Sequence, residues 1–450
     1  MSSVKIAHFS PGHILFIMAI TTIVSGAMLL SLPICRTVEI PFLDLLFTAT
    51  SVTCVAGLFT IPLESFTTTG HVVILILSQI GGIGLVTLTI FLLSLFMNFG
   101  FASQLIASQL MHFEGWKNIR AFIAFILGLT LCVELIGACC FFLVFMQELP
   151  TDKALFLSLF SAVASFCNTG IMLPMVTVST YSTSTVMALT ATALMLFGSL
   201  GFVTWNEIVS YCWSFKQHKR YQFSLQSKII LYGTVFITLG TLISFVILEW
   251  HHALAQEPNG LLKYSTTLFQ AVSFRSAGFM TPLFYLFRLP TFLLVLFVAF
   301  IGGSPGSTSG GVKLTTIAIL IATIRSAVKG RFSVEIRGRS IPVDQVYRAL
   351  AIISLSVVWI CMTTFLLTIT EPLLPFKALF FEACSAFCTL GMSLGATALL
   401  STAGKIIIMF SMLIGRIGSL TLMLALKSVA TRRKQEGVDF SYPEERVILS

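Results

Sequence analysis

The sequence predicts an all-α integral membrane protein made of four tandem units, each a helix, a short re-entrant helix with a glycine turn, and a second helix. The units are expected in a pseudo-fourfold arrangement around one pore. Three observations predict this class. Of 450 residues, 56% are hydrophobic and 10% charged, with a mean hydropathy of +0.96, well beyond the apolar share of soluble domains. Apolar runs long enough to cross a bilayer recur eight times. A short apolar segment ending in a glycine turn recurs four times between them.

The runs fall near residues 13–34, 71–97, 120–147, 183–213, 228–250, 290–326, 345–371 and 404–427. Their length, without the ten-residue alternation of a membrane barrel, assigns helices. The first run comes after a short polar N-terminus and is expected to stay as a span rather than be removed as a signal peptide. Most of the 27 lysines and arginines lie in the two termini and in the connections after the second, fourth and sixth runs. Orientation follows that excess, so both termini are expected in the cytoplasm and the chain in the cytoplasmic membrane. The net charge of +9 is then a topology signal and a contact for anionic lipid, not a nucleic-acid footprint. Ten cysteines form no CxxC pair and have no nearby histidine ligands, which supports neither zinc nor a disulfide framework.

The recurring segments read "LFTATSVTCVAGL" from Leu46, "LFSAVASFCNTGI" from Leu159, "LFQAVSFRSAGF" from Leu268 and "FFEACSAFCTLGM" from Phe380. Phe47, Phe160, Phe269 and Phe381 are each followed two positions later by alanine, at Ala49, Ala162, Ala271 and Ala383. Each phenylalanine then leads, nine or ten residues on, to Gly57, Gly170, Gly278 or Gly391. By subtraction these glycines lie 113, 108 and 113 residues apart. The units are expected over 1–100, 101–215, 216–340 and 341–430, with a cytoplasmic tail at 431–450.

Ten residues are too few to cross a core about 30 Å thick, so the short segments are expected to be re-entrant. Irregular backbone at that depth is tolerated only inside protein or along a water-filled cavity. Glycine supplies backbone angles that other residues avoid, so four such turns can aim carbonyls at an axis and replace a cation's hydration shell. The expected selectivity filter is Val55, Ala56 and Gly57; Asn168, Thr169 and Gly170; Ser276, Ala277 and Gly278; and Thr389, Leu390 and Gly391. Asn168 is expected to hydrogen-bond neighbouring filter backbone or to serve simple turn chemistry.

The sixth run, about 37 residues, would make a helix about 55 Å long, well beyond the hydrocarbon core. Gly302, Gly303, Pro305, Gly306, Gly310 and Gly311 all disfavour helix, which places a break at 302–311. With Ser304, Ser307, Thr308 and Ser309 to face water, this loop is expected to be an intramembrane gate; the alternative is a kink that only accommodates packing. "GGSPG" fits G-x-S-x-G, but no strand precedes it and no histidine lies inside a span, so hydrolase chemistry is not expected. "GSTSGGVK" lacks the Gly-Lys-Ser/Thr of a phosphate loop. The protein is read as a non-enzyme.

Arg416 sits 11 residues from Lys427 and 12 from Gly404, too deep for comfortable snorkelling, and an ionisable residue there is a functional candidate. It is expected to project below the filter, held by the polar loop, or else to pair with a carboxylate such as Glu134 or Glu382. Lys313 is expected to serve the loop's carbonyls or the gate. Glu134 has no partner assignable from sequence.

The four units, the turns "VAGL", "NTGI", "SAGF" and "TLGM", the segment "GGSPGSTSGGVK" and "GRIGSLTL" from Gly415 resemble the Trk/Ktr/HKT superfamily of potassium uptake proteins. With eight spans and no extra N-terminal pair, the likeness is to the Ktr-type membrane subunit, over about residues 13 to 430. The resemblance implies that Gly57, Gly170, Gly278 and Gly391 surround the transported potassium ion, and that serine at the first position would admit sodium. It also implies a homodimer, gated by a separate cytosolic ring of nucleotide-binding RCK subunits; the chain has no G-x-G-x-x-G after a strand to supply that function. Arginines occur in the family at the places of Arg416 and Arg275, and Arg275 is expected to brace the third turn from behind. Where the family has threonine before the first glycine, this chain has Ala56, which keeps the carbonyl and loses a hydroxyl. The leading expectation is therefore passive potassium flux. The alternative is a sodium- or proton-coupled symporter working by alternating access, which usually carries inverted repeats rather than four units of one orientation.

Overall fold

In a computed structural model of the chain, the described residues are 11–84, 119–173, 184–216, 221–256, 260–275, 277–331 and 333–418. The described α-helices are α1 Pro11–Leu30, α2 Phe42–Thr53, α3 Thr68–Ile83, α4 Ile119–Phe145, α5 Thr151–Phe166, α6 Thr185–Leu200 and α7 Phe202–Lys216. They continue with α8 Leu225–Glu249, α9 Gly260–Ser273, α10 Leu289–Phe300, α11 Leu314–Val328, α12 Val343–Thr370, α13 Phe376–Cys388 and α14 Thr402–Ile417. Strands β1 Glu335–Ile336 and β2 Arg339–Ser340 pair as a hairpin, turned through Arg337 and Gly338 at φ 52 and 75, the positive pair a tight hairpin turn requires.

Long helix, short helix, glycine turn and further helix recur four times in this order. Proline precedes three of the short helices, Pro41 before α2, Pro150 before α5 and Pro375 before α13; its ring favours the extended entry and stops the chain from continuing the preceding helix. Hydroxyl caps start the helices that come after the turns: Thr67 accepts from Gly70 N, Ser184 from Met187 N and Ser401 from Gly404 N. In the third and fourth units a carboxylate at the end of the long helix joins this work. Glu249 accepts from Arg288 N at 2.9 Å, and Glu371 from Ser401 N at 2.8 Å.

Among the described residues, three helices are long and apolar enough to cross a membrane, Ala121–Phe145, Leu225–Glu249 and Val343–Thr370. Their outward faces carry Ile136, Phe236, Ile247, Val358 and Phe365 exposed, an apolar exterior that water would penalise and lipid accepts. The centre holds the polar groups instead, with Thr48, Ser161, Gln270, Ser304, Thr308 and Glu382 all buried. This inside-out arrangement is that of a membrane protein.

The expected single span at 183–213 needs correction: α6 and α7 are bent by 98° at Gly201, whose φ of 81 and ψ of 146 lie outside the helical region. The expected spans 71–97 and 404–427 run on into residues outside the described ones, where the basic cluster Arg432–Arg433–Lys434 also lies. Each short helix packs against the helix that follows the glycine turn of the unit before it: α5 on α3, α9 on α6 and α13 on α10. Helix α2 packs on α14, joining the first unit to the last.

Candidate functional site

The glycine turns share a local design. Ala56 N donates to Ser51 O at 2.7 Å, Thr169 N to Ala164 O at 3.0 Å, and Leu390 N to Ser385 O at 2.9 Å. This six-to-one bond closes a helix end of the Schellman type, which needs a left-handed residue just before the donor. Val55, Asn168 and Thr389 take that conformation at φ 58, 58 and 50; valine and threonine are costly there. The third turn differs: it is one residue shorter from Phe269, and both Ala277 N and Gly278 N reach Ser273 O. Ser276 lies outside the described residues. Hydroxyls brace the residue after the glycine in two turns, Ser273 on Phe279 O at 2.8 Å and Ser385 on Met392 O at 2.6 Å.

The four glycines come together. Their φ values are 71, 67, 71 and 86 for Gly57, Gly170, Gly278 and Gly391, a region that disfavours a side chain. Space forbids one as well. A Cβ on Gly57 would collide with Thr169 O; one on Gly170 would lie 2.5 Å from Ala277 O; one on Gly278 would collide with Leu390 O; one on Gly391 would lie 2.7 Å from Ala56 O. Each glycine thus faces the carbonyl preceding the glycine of another turn, and the sequence 57, 170, 278, 391 closes on itself. Uncharged carbonyls so gathered are the type of group that can replace a monovalent cation's hydration shell.

Between α10 and α11 the chain leaves the helical path at Phe300 and resumes it at Leu314. Its two ends are paired, Gly302 N to Val312 O at 2.9 Å and Val312 N to Phe300 O at 3.2 Å, so the loop is an out-and-back excursion rather than a kink. The excursion is fastened to the end of α6: Ser304 N donates to Ser199 O, Thr308 N to Gly198 O, Ser304 Oγ to Leu200 O, and Phe202 N to Gly306 O. Ser307 Oγ donates to Ser304 O at 2.7 Å. Ser309 Oγ has no hydrogen-bond partner among the described residues.

Three cations converge on loop carbonyls, Arg275 buried and Lys313 and Arg416 half-buried. Arg275 donates from Nε and Nη2 to Gly302 O at 3.4 and 3.3 Å, and from Nη1 to Thr234 Oγ1. Lys313 Nζ donates to Ser309 O at 2.7 Å. Arg416 donates to Thr308 O and to Gly81 O. The carboxylate considered for Arg416 from sequence is not its partner: Glu134 accepts from Gln79 at 3.1 Å, and Glu382 from Ser393 and Thr397. Among the described residues none of the three cations has an ion pair, so carbonyl dipoles and, for Arg275, the Thr234 hydroxyl offset their lost hydration, leaving the loop's surroundings positive.

Sequence reading missed a second glycine series. Cβ atoms on Gly81, Gly198 and Gly415 would strike Thr53 O, Phe166 O and Phe387 O, the carbonyl four residues before a turn glycine in each case. Three residues on, Gly84, Gly201 and Gly418 end their helices at φ 98, 81 and 95. The recurring G-x-x-G was the available signal.

A family profile described as TrkH, cation transport protein, matches residues 14–431. The chain is 31% identical over 434 residues to the potassium/sodium uptake protein NtpJ of Enterococcus hirae, covering 95% of this chain and 94% of that one. It is also 31% identical over 447 residues to the Ktr system potassium uptake protein B of Bacillus subtilis, covering 99% and 98%. The crystal structure of the potassium transporter TrkH from Vibrio parahaemolyticus superposes with a TM-score of 0.72 at 19% identity, over 92% of this chain and 84% of that one. With a profile spanning nearly the whole chain and relatives matched end to end, the protein belongs to the TrkH family of cation transport proteins.

Proposed function

We propose that the chain is the ion-conducting subunit of a Trk/Ktr-type potassium uptake system in the cytoplasmic membrane. The four units, over 1–100, 101–215, 216–340 and 341–430, stand in pseudo-fourfold order around one pore. The observation that carries this reading is the closed order of Gly57, Gly170, Gly278 and Gly391, each against a neighbouring turn's carbonyl. The filter is the twelve residues of those turns. Flux is passive, because carbonyls select a cation by coordination and need no chemical step.

The 302–311 loop is the gate, in the closed position. Arg275, Lys313 and Arg416 surround it with positive charge that repels a cation, and their bonds to Gly302, Ser309 and Thr308 carbonyls hold it in place. Opening is governed by a separate cytosolic nucleotide-binding RCK subunit, and two copies of the chain assemble as a homodimer with their termini in the cytoplasm. The full-length relatives named for potassium uptake, or for potassium and sodium, support the substrate class.

The test is potassium and sodium flux through the purified protein in liposomes under matched gradients, with and without Gly57→Ser. Potassium preference that relaxes in the variant is expected. Absence of cation flux in folded protein with regulator added would overturn the reading.

A further inference from the structure

We infer that Asn168 is a positioning residue that couples the 302–311 loop to the second filter turn through Thr308, so that gate position and ion discrimination move together. The inference rests on the gate and filter assignments of the proposed function.

Asn168 lies in the second turn and is buried, yet its amide leaves the turn. Nδ2 donates to Thr308 Oγ1 at 2.6 Å, with Met195 O and Phe166 O at 3.4 and 3.5 Å. Two carbonyls on that side fix the nitrogen, rather than the oxygen, of the amide there. Thr308 is fully engaged in turn: its N–H donates to Gly198 O at 3.2 Å and its carbonyl accepts from Arg416. One residue of the loop therefore joins the second turn, α6 and α14.

The surroundings are shaped for this bond. A Cβ on Gly198 would lie 2.7 Å from Thr308 Oγ1 and 3.0 Å from Asn168 Nδ2, so α6 passes the pair with a glycine where a helix interior disfavours one. Backbone preference does not account for the asparagine. The equivalent left-handed positions hold Val55 and Thr389, which shows that the turn does not require an asparagine, and Thr389 Oγ1 makes no hydrogen bond. Among the described residues at this position, Asn168 alone sends a hydrogen bond to the loop. Because its own backbone forms the turn, displacement of Thr308 pulls on the Asn168 side chain and relaxes the left-handed geometry that sets the Thr169 and Gly170 carbonyls.

The experiment compares unstimulated potassium and sodium flux in liposomes for the full chain and four variants. Thr308→Val removes the hydroxyl at constant volume. Asn168→Gly removes the donor while keeping the left-handed backbone free of strain. Both are expected to raise flux about five- to tenfold, the worth of one hydrogen bond, and to lower the potassium-to-sodium ratio in step. Thr308→Ser should retain wild-type values, and the double variant Asn168→Gly with Thr308→Val should match either single one, since both delete the same bond. Raised flux at an unchanged ratio, additive single effects, or unaltered flux in correctly assembled Thr308→Val and Asn168→Gly protein would each overturn the coupling while leaving the channel reading intact. A folded wild-type protein that passes no cation even with regulator added would overturn both.

Discussion

Lys405 Nζ lies 2.6 Å from Asp44 Oδ1, tying the last described helix to the first of the short ones. Thr60 Oγ1 donates to the same oxygen at 2.7 Å. Eleven residues after Lys405, about three helical turns and so on one face, Arg416 donates to Gly81 O of the first unit. No peptide link joins the first and fourth units where they meet, and these two side chains of α14 sew that seam.

Lys405→Met should therefore destabilise the protein by roughly 3 kcal/mol, because it leaves the Asp44 carboxylate buried with a single hydroxyl donor. Adding Asp44→Asn removes the stranded charge and should recover part of the loss. Thermal unfolding in detergent of the two single variants and the double one measures this. A double variant less stable than Lys405→Met would show that the pair does not act as a charged couple.

Two helix glycines should respond in opposite directions to alanine. Gly128 of α4 has nothing within 4 Å of a built Cβ, so Gly128→Ala gains helix propensity, about 1 kcal/mol. Gly198 of α6 has Phe166 O, Thr308 Oγ1 and Asn168 Nδ2 against that position, and Gly198→Ala must displace main chain, costing more than the propensity gain returns. Midpoints of thermal unfolding that rise for the first and fall for the second are expected. A Gly198→Ala protein as stable as wild type would mean that α6 can slide away from the loop at little cost.

The four turns were legible because glycine at a fixed distance from phenylalanine is a covalent spacing. Even the odd third turn could be read, since Phe269 to Gly278 is one residue shorter and its hydrogen bonds differ accordingly. The bend at Gly201 was not legible: a single glycine in an apolar run costs about 1 kcal/mol, too little to decide between a continuous helix and a break. That the polar loop holds Arg416 was legible, but the individual acceptors were not, because they are carbonyls of Thr308 and Gly81, and every residue carries a carbonyl. Side-chain identity narrows a search for carboxylates; it gives no handle on main-chain acceptors brought in by tertiary packing. The same blindness hid the fastening of the 302–311 loop to α6, whose glycine and proline content announced a break but not its anchor.

Ala56 offers a gain-of-function test of the filter. In the second turn the residue before the glycine, Thr169, donates its hydroxyl to Ala164 O at 3.2 Å, adding a second bond to the one its N–H already makes there. Ala56 N makes the corresponding bond to Ser51 O at 2.7 Å, but a methyl group cannot add the second. Ala56→Thr would place a hydroxyl where Ser51 O can accept it, and a neutral hydrogen bond of this kind contributes about 1 kcal/mol. If the added bond holds the first turn's carbonyls at the wider spacing that suits potassium, so that they cannot close on sodium, the energy appears as discrimination, and the potassium-to-sodium flux ratio should rise about fivefold. The comparison needs a control that the second turn supplies: Thr169→Ala removes the existing brace and should move the ratio the other way. Ratios that shift in opposite senses would assign selectivity to how firmly the turns are held. Equal ratios in all three proteins would assign it to the number of carbonyls alone, which neither substitution changes.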